Sequence, residues 1–283
     1  MRLFLVLALL VFSLEAKSLF SNNDQADNAK YINSLKDLVI ATQKTRGLTN
    51  SYLNGNKSAL LLIHGNQRDM KKAIGMMESL PLASNATINN RATKISQALI
   101  KLNNRAFKLE PSLAFAGYTE QIEQTLMLAQ TVSKQGSADL NPLGQEASVI
   151  MMEIILPLTE QVGRMRGMGS GIVAKGAISE TQTFAMMSMM GEIDDLEAQL
   201  QSSMKMIVAK NADKYDASVQ RNLSDAKSAI SGYTSLTKKK VLTGAKGLNA
   251  DDYFMQGTDI ISTLVNIFNS NKRAIIEDSK GWI

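Results

Sequence analysis

Turn-forming residues cut this chain into long segments, and inside each segment apolar side chains recur in steps of three and four. That spacing gathers them on one face of an α-helix. Asn54-Gly55, Pro81, Pro111, Gly136, Gly176 and Asn249 mark the breaks. The pattern predicts about eight helices, over 26–53, 58–80, 87–108, 112–134, 142–175, 179–210, 213–240 and 249–279. Pro142 suits a first helical turn, whereas Pro157 lies inside the fifth helix and should kink it. Ser179-Glu180-Thr181-Gln182 has the pattern of a capping box. Only 5% of the chain is aromatic and it has four prolines, so an all-β fold is not expected. Long helices with short connections imply an all-α protein of two up-and-down four-helix bundles, at about 26–135 and 140–280.

The chain lacks cysteine and has one histidine, His64. This excludes disulfides, iron–sulfur clusters and zinc fingers, along with any nucleophile–histidine pair not built on that imidazole. There is no phosphate-binding glycine loop and no metal-ligand spacing, so an enzyme, a bound metal and a cofactor are not expected. Met76-Met77, Met151-Met152, Met186-Met187 and Met189-Met190 read as adaptable core residues, with copper binding as the minor alternative. The net charge of +5 favours anionic partners in general. The basic run Lys238-Lys239-Lys240 has no interleaved aromatics and reads as a solvated helix end, not a nucleic-acid surface.

Met1-Arg2 followed by the apolar run from Leu3 to Leu14 reads as a secretory leader, 1–16, cleaved after Ala16. The run is shorter than the roughly 20 residues that cross a bilayer. The expected mature domain is 17–283, located in the periplasm.

The first helix carries a seam of Ile32, Leu35, Val39, Thr42, Arg46, Thr49 and Leu53. Arg46 stands where a leucine is expected. A buried guanidinium cannot shed its proton and needs a carboxylate, carbonyls, water or an anion. Gly47 follows it, and a glycine inside a helix opens space at the cost of helix propensity. Arg166-Gly167 repeats the pair 120 residues later, in the fifth helix, which points to an internal duplication. Arg166 lies beside the seam of that helix and Arg164 further from it, so burial is expected first for Arg46.

Gln43-Lys44-Thr45-Arg46-Gly47, Ser51-Tyr52-Leu53-Asn54-Gly55, Arg164-Met165-Arg166-Gly167 and Asp252-Tyr253-Phe254 together resemble the nitrate- and nitrite-sensing (NIT) domain family. The resemblance covers about 30–275 and implies a fold of two four-helix bundles. It implies an anion-binding role for Arg46 and Arg166; Arg164, pointing further from the seam, is kept as the last candidate. Thr42, Thr49 and Ser170 are expected to add hydroxyl donors around the anion. Such domains usually precede an output module, and here nothing follows the last helix but 278–283. The expectation is a free-standing periplasmic sensor of nitrate or nitrite that passes its state to a membrane-bound partner and forms a homodimer. The alternative is a ligand-free helical adaptor, in which Arg46 pairs with Glu123, Glu153 or Glu192 inside the bundle.

Overall fold

The computed structural model describes residues 21–138 and 140–280. The leader expected at 1–16 lies outside the described residues, which are helical with short connections and contain no strand. Helix α1 (Ser21–Leu53) closes where Gly55 turns back at φ 118° and the Asn56 N–H reaches the Ser51 carbonyl. Helices α2 (Ala59–Ser79), α3 (Ala86–Arg105) and α4 (Pro111–Gly136) complete the first half. The second half opens with α5 (Pro142–Val149), a π-helical turn (Ile150–Ile155) and α6 (Leu156–Lys175). It continues with α7 (Glu180–Lys210), α8 (Ser218–Leu236), a second π turn (Thr237–Val241) and α9 (Ala250–Lys280).

Local chemistry explains these boundaries. Asn85 accepts from the Thr87 and Ile88 N–H groups to start α3, and Ser179 with Gln182 forms the anticipated capping box of α7. Gly176 ends α6 at φ 69°, the left-handed cap that a glycine adopts without a Cβ penalty. The expected helix over 213–240 starts only at Ser218, after a turn in which Asp216 accepts from the Ser218 N–H. Lys238, Lys239 and Lys240 lie exposed on the second π turn.

Pro157 acts one turn upstream of itself. A proline has no N–H to give, and its ring crowds the carbonyl four residues back. The helix widens into the π turn, where the Leu156 N–H bonds the Met151 carbonyl. In that wider frame the Met152 carbonyl faces the proline nitrogen, which has no hydrogen. The Gln130 side chain of α4 donates to that carbonyl instead, at 3.4 Å. The expected kink is therefore a π-bulge, stabilised by the opposite half of the molecule.

Helix α1 packs on α2, α4 and α6, while α6 packs on α1, α7 and α9. One apolar core runs without a break through both halves. The two central helices are buried on all sides: α1 from 41 to 51 except at Lys44, and α6 from 162 to 173 except at Arg164 and Met168. They cross at Gly47 and Gly167, where a Cβ on Gly47 would stand 3.2 Å from the Gly167 Cα. Nearer the start of α1 the halves part, leaving a largely apolar groove of about 690 Å³ lined by residues including Ile32, Leu140, Met152 and Phe268.

Candidate functional site

The Gly47–Gly167 crossing places Arg46 and Arg166, each one residue before its glycine, at the centre of the molecule, both with no exposed surface. Each has the same surroundings in its own half. The Arg46 guanidinium lies 4.9 Å from the Phe115 ring centre, and its Nη1 donates to Thr119 Oγ1 at 3.0 Å. The Arg166 guanidinium lies 4.4 Å from the Phe254 ring centre, and its Nη1 donates to Thr258 Oγ1 at 2.8 Å. Each threonine hydroxyl donates back to the carbonyl of its phenylalanine, one helical turn earlier. Each phenylalanine also abuts the glycine of the opposite half: Phe254 against Gly47, Phe115 against Gly167. This two-fold arrangement of Arg, Gly, Phe and Thr supports the internal duplication suggested by the repeated Arg-Gly.

The symmetry fails at one residue. Glu160 accepts from Arg46 Nη1 at 2.6 Å and from Nη2 at 3.2 Å, a bidentate ion pair, and Gln43 Nε2 donates to the same carboxylate at 3.0 Å. The position in α1 that corresponds to Glu160, 120 residues earlier, is Ile40. Arg166 has no such partner. Its Nε and Nη2, both buried, find no protein acceptor. Those two N–H groups form one edge of the guanidinium, the edge that binds two oxygens of a planar anion side-on.

Electrostatics follow from this. Burial pushes the Arg166 pKa down to about 10, the Tyr233 hydroxyl pulls it up, Arg46 lowers it further and Glu160 raises it. It stays protonated at neutral pH. Lys44, half-buried, is lowered by its burial and then by the charge of Arg166, while Asp69 of α2 opposes this. Beside Arg166, the buried Tyr233 donates to the Tyr253 carbonyl at 3.2 Å, and the Tyr253 and Thr237 hydroxyls share a hydrogen bond of 2.8 Å. Burial raises both phenols, Tyr253 to about 12. Gly257 admits the Arg166 stem, since a Cβ there would stand 2.9 Å from the Arg166 Cβ.

A family profile described as nitrate and nitrite sensing matches residues 37–274. The chain belongs to the nitrate- and nitrite-sensing family. No curated protein matches it. A solved structure, that of the NasR transcription antiterminator, superposes with a TM-score of 0.54 over 96% of this chain and 75% of that one, at 14% identity, a likeness of fold.

Within this NIT fold the residues singled out from sequence fare differently. Arg166 is as buried as Arg46, although its place beside the seam suggested otherwise, because α6 is buried over most of its circumference and its apolar seam is only part of that buried surface. Arg164 is half-buried, with its Nε unpartnered. Thr42 donates to the Leu38 carbonyl and Ser170 to the Gly167 carbonyl, so in this arrangement both hydroxyl protons are held by the main chain. Thr49 lies against Tyr118, whose phenol is raised to about 12 by burial although Thr49 and Gln67 work against the rise. The threonines that do touch the guanidiniums are Thr119 and Thr258. Glu123, Glu153 and Glu192 are exposed, and the carboxylate on Arg46 is that of Glu160. The sequence signal for the aromatic pair was the shared Phe-x-x-x-Thr spacing at 115–119 and 254–258.

His64 is exposed, with its ring 6.1 Å from that of Phe107. The methionine pairs each put at least one side chain into the core. No cluster of three potential metal-ligating side chains occurs among the described residues, and none of their helices is long and apolar enough to cross a membrane.

Proposed function

We propose that this protein is a periplasmic sensing module for nitrate or nitrite, and that the anion is held at the arginine pair, against the free edge of Arg166. The observation that carries this is the pair of unpartnered donors, Nε and Nη2, on a fully buried guanidinium with no carboxylate of its own. A buried cation without a counterion is unfavourable, and a planar monovalent oxyanion satisfies both donors at once. Nitrate and nitrite share that geometry, and the family match agrees with either.

The seat is enclosed, so an anion reaches it only when α6, α9 or their neighbours shift. A ligand bound in one arrangement of the helices and not in another moves the population between them. That change is what a membrane-bound signalling partner, or a second copy of the chain, would read. The basic start and apolar run over 1–14 have the pattern of an export leader, which supports the periplasmic reading, and the periplasm is where external nitrate is met.

The adaptor reading draws support from one observation. The Arg46–Glu160 pair explains a buried arginine in α1 with no ligand at all. It leaves Arg166 unexplained.

The test is calorimetric and thermal-shift titration of the mature chain with nitrate, nitrite and chloride. Removing the Arg166 donors by Arg166→Ala should cost about 1.5–3 kcal/mol, roughly ten- to hundredfold in affinity. Arg46→Lys keeps the charge and loses the fork that grips Glu160, so it too should weaken binding. If chloride stabilises the protein as well as nitrate and nitrite do, the sensor reading gives way to the adaptor.

A further inference from the structure

We propose that Glu160 sets the valence of the ion this site accepts, restricting it to monovalent anions. The inference rests on the anion seat at Arg166 proposed above. The groups whose charge reaches Arg166 are few among the described residues. From α1 come Arg46 and Lys44, from α6 Glu160, and from α8 Tyr233, with Tyr253 of α9 hydrogen-bonded to it. Both tyrosines are neutral well past physiological pH. Lys44 is half-buried and its charge is opposed by Asp69.

At neutral pH the buried centre therefore holds two positive charges, Arg46 and Arg166, and one negative charge, Glu160, bound to Arg46 through both oxygens. One positive charge is left over. A single monovalent anion brings the centre to neutrality. A divalent anion would leave one negative charge in an enclosed, low-dielectric place, a costly result. The asymmetry matters here: with apolar Ile40 at the matching position of α1, only one of the two arginines has a built-in counterion. Glu160 thus occupies Arg46 as an internal anion and fixes how much charge the remaining seat can take. Gln43, donating to the same carboxylate, holds it in that role.

Perchlorate and sulfate test this, because the two tetrahedral ions share a shape and differ in charge. Affinities for both, and for nitrate, are measured by calorimetry on the mature wild type and on Glu160→Gln, which keeps the side-chain shape and removes the charge. The wild type should favour perchlorate over sulfate by at least roughly tenfold, as each tenfold reflects only about 1.4 kcal/mol. In Glu160→Gln the sulfate-to-perchlorate ratio should rise by at least roughly tenfold relative to wild type. Hydration differences between the ions cancel in that comparison. An unchanged ratio in Glu160→Gln, with nitrate still bound by the wild type, overturns the valence role and leaves the sensor reading standing. A wild type that binds none of the three ions overturns the sensor reading itself.

Should Glu160→Gln fail to fold, the wild type supplies a second measurement. Titrations in two buffers of different ionisation enthalpy count the protons taken up with each ion. Nitrate and perchlorate should enter without a proton. Sulfate should enter with one, taken from buffer to offset its second charge. Sulfate binding as tightly as perchlorate, with no proton, overturns the proposal.

Discussion

Arg46 and Arg166 occupy matching places, yet substitutions at them should move stability in different directions. Arg46 and Glu160 form a buried pair, and removing one partner leaves the other charge uncompensated. Arg46→Met strands the Glu160 carboxylate and should therefore cost about 3–5 kcal/mol. Arg166 has no counterion, so Arg166→Met exchanges an unfavourably buried charge for an apolar side chain of similar length. In nitrate-free buffer it should match or exceed wild-type stability, with each kcal/mol seen as about 2–4 °C in Tm. Thermal melts of the two variants decide it. A large loss in Arg166→Met would mean that Phe254 and Thr258 compensate the charge on their own. A gain in stability joined to a loss of nitrate response is the trade expected of a strained binding residue. At this scale the sequence revealed the arginines but not their asymmetry. Arg46 stood out because it broke an apolar seam. Glu160 did not, because it stands next to Gln161 and close to Arg164 in sequence, and no local pattern shows that its side meets Arg46 while theirs is only half-buried.

The elements were more legible, since caps and breakers act locally. Gly55, Gly176 and the Ser179–Gln182 box end or start helices where their chemistry says they should. Pro157 announced a distortion, but its form depends on Gln130 of α4, a contact that no local pattern contains. Gln130→Ala should strand the Met152 carbonyl and cost about 1–3 kcal/mol. In a Pro157→Ala background the same change should cost less, because an alanine N–H lets the helix return to its ordinary frame. Urea unfolding of the four proteins of this double-mutant cycle measures the coupling, and additivity would show that the two residues act independently. The glycines of the crossing make a second test. A Cβ on Gly47 would sit 2.7 Å from the Phe254 ring and crowd the Gly167 Cα. Gly47→Ala and Gly167→Ala should each cost about 1–3 kcal/mol through overpacking. Gly75 and Gly191 lie on exposed helix faces with nothing near the added Cβ. There the same substitution should gain up to about 1 kcal/mol in helix propensity.

For the molecule as a whole, a single core joins both halves, so unfolding should be one cooperative transition whose midpoint depends on alkali. Tyr31, Tyr118 and Tyr253 have folded pKa values raised from 10.0 to about 12, chiefly by burial. The unfolded chain gives up these protons first, so their contribution is complete below pH 10 and is lost as pH rises through about 12. Arg166, lowered to about 10, works in the opposite sense and offsets part of the loss. Denaturant midpoints should therefore fall between pH 10 and pH 12, and a flat profile there would contradict the burial of these phenols. The crossing of α1 and α6 also has a mechanical consequence. At the pair of glycines the two rods meet backbone to backbone, and the side chains that tie them together, Gln43 and Arg46 to Glu160 and Asn50 to the Gly167 carbonyl, gather close to that point, so it can serve as a pivot. Gly47 lies near one end of α1, which leaves a lever of roughly 40 Å back to Ser21 at 1.5 Å per residue. A swivel of about 5° at the fulcrum would swing that far end by roughly 3 Å over such a length. The motion would open or narrow the groove between the halves, so a change the size of one hydrogen bond at the arginines could arrive at the opposite pole as the width of a side chain.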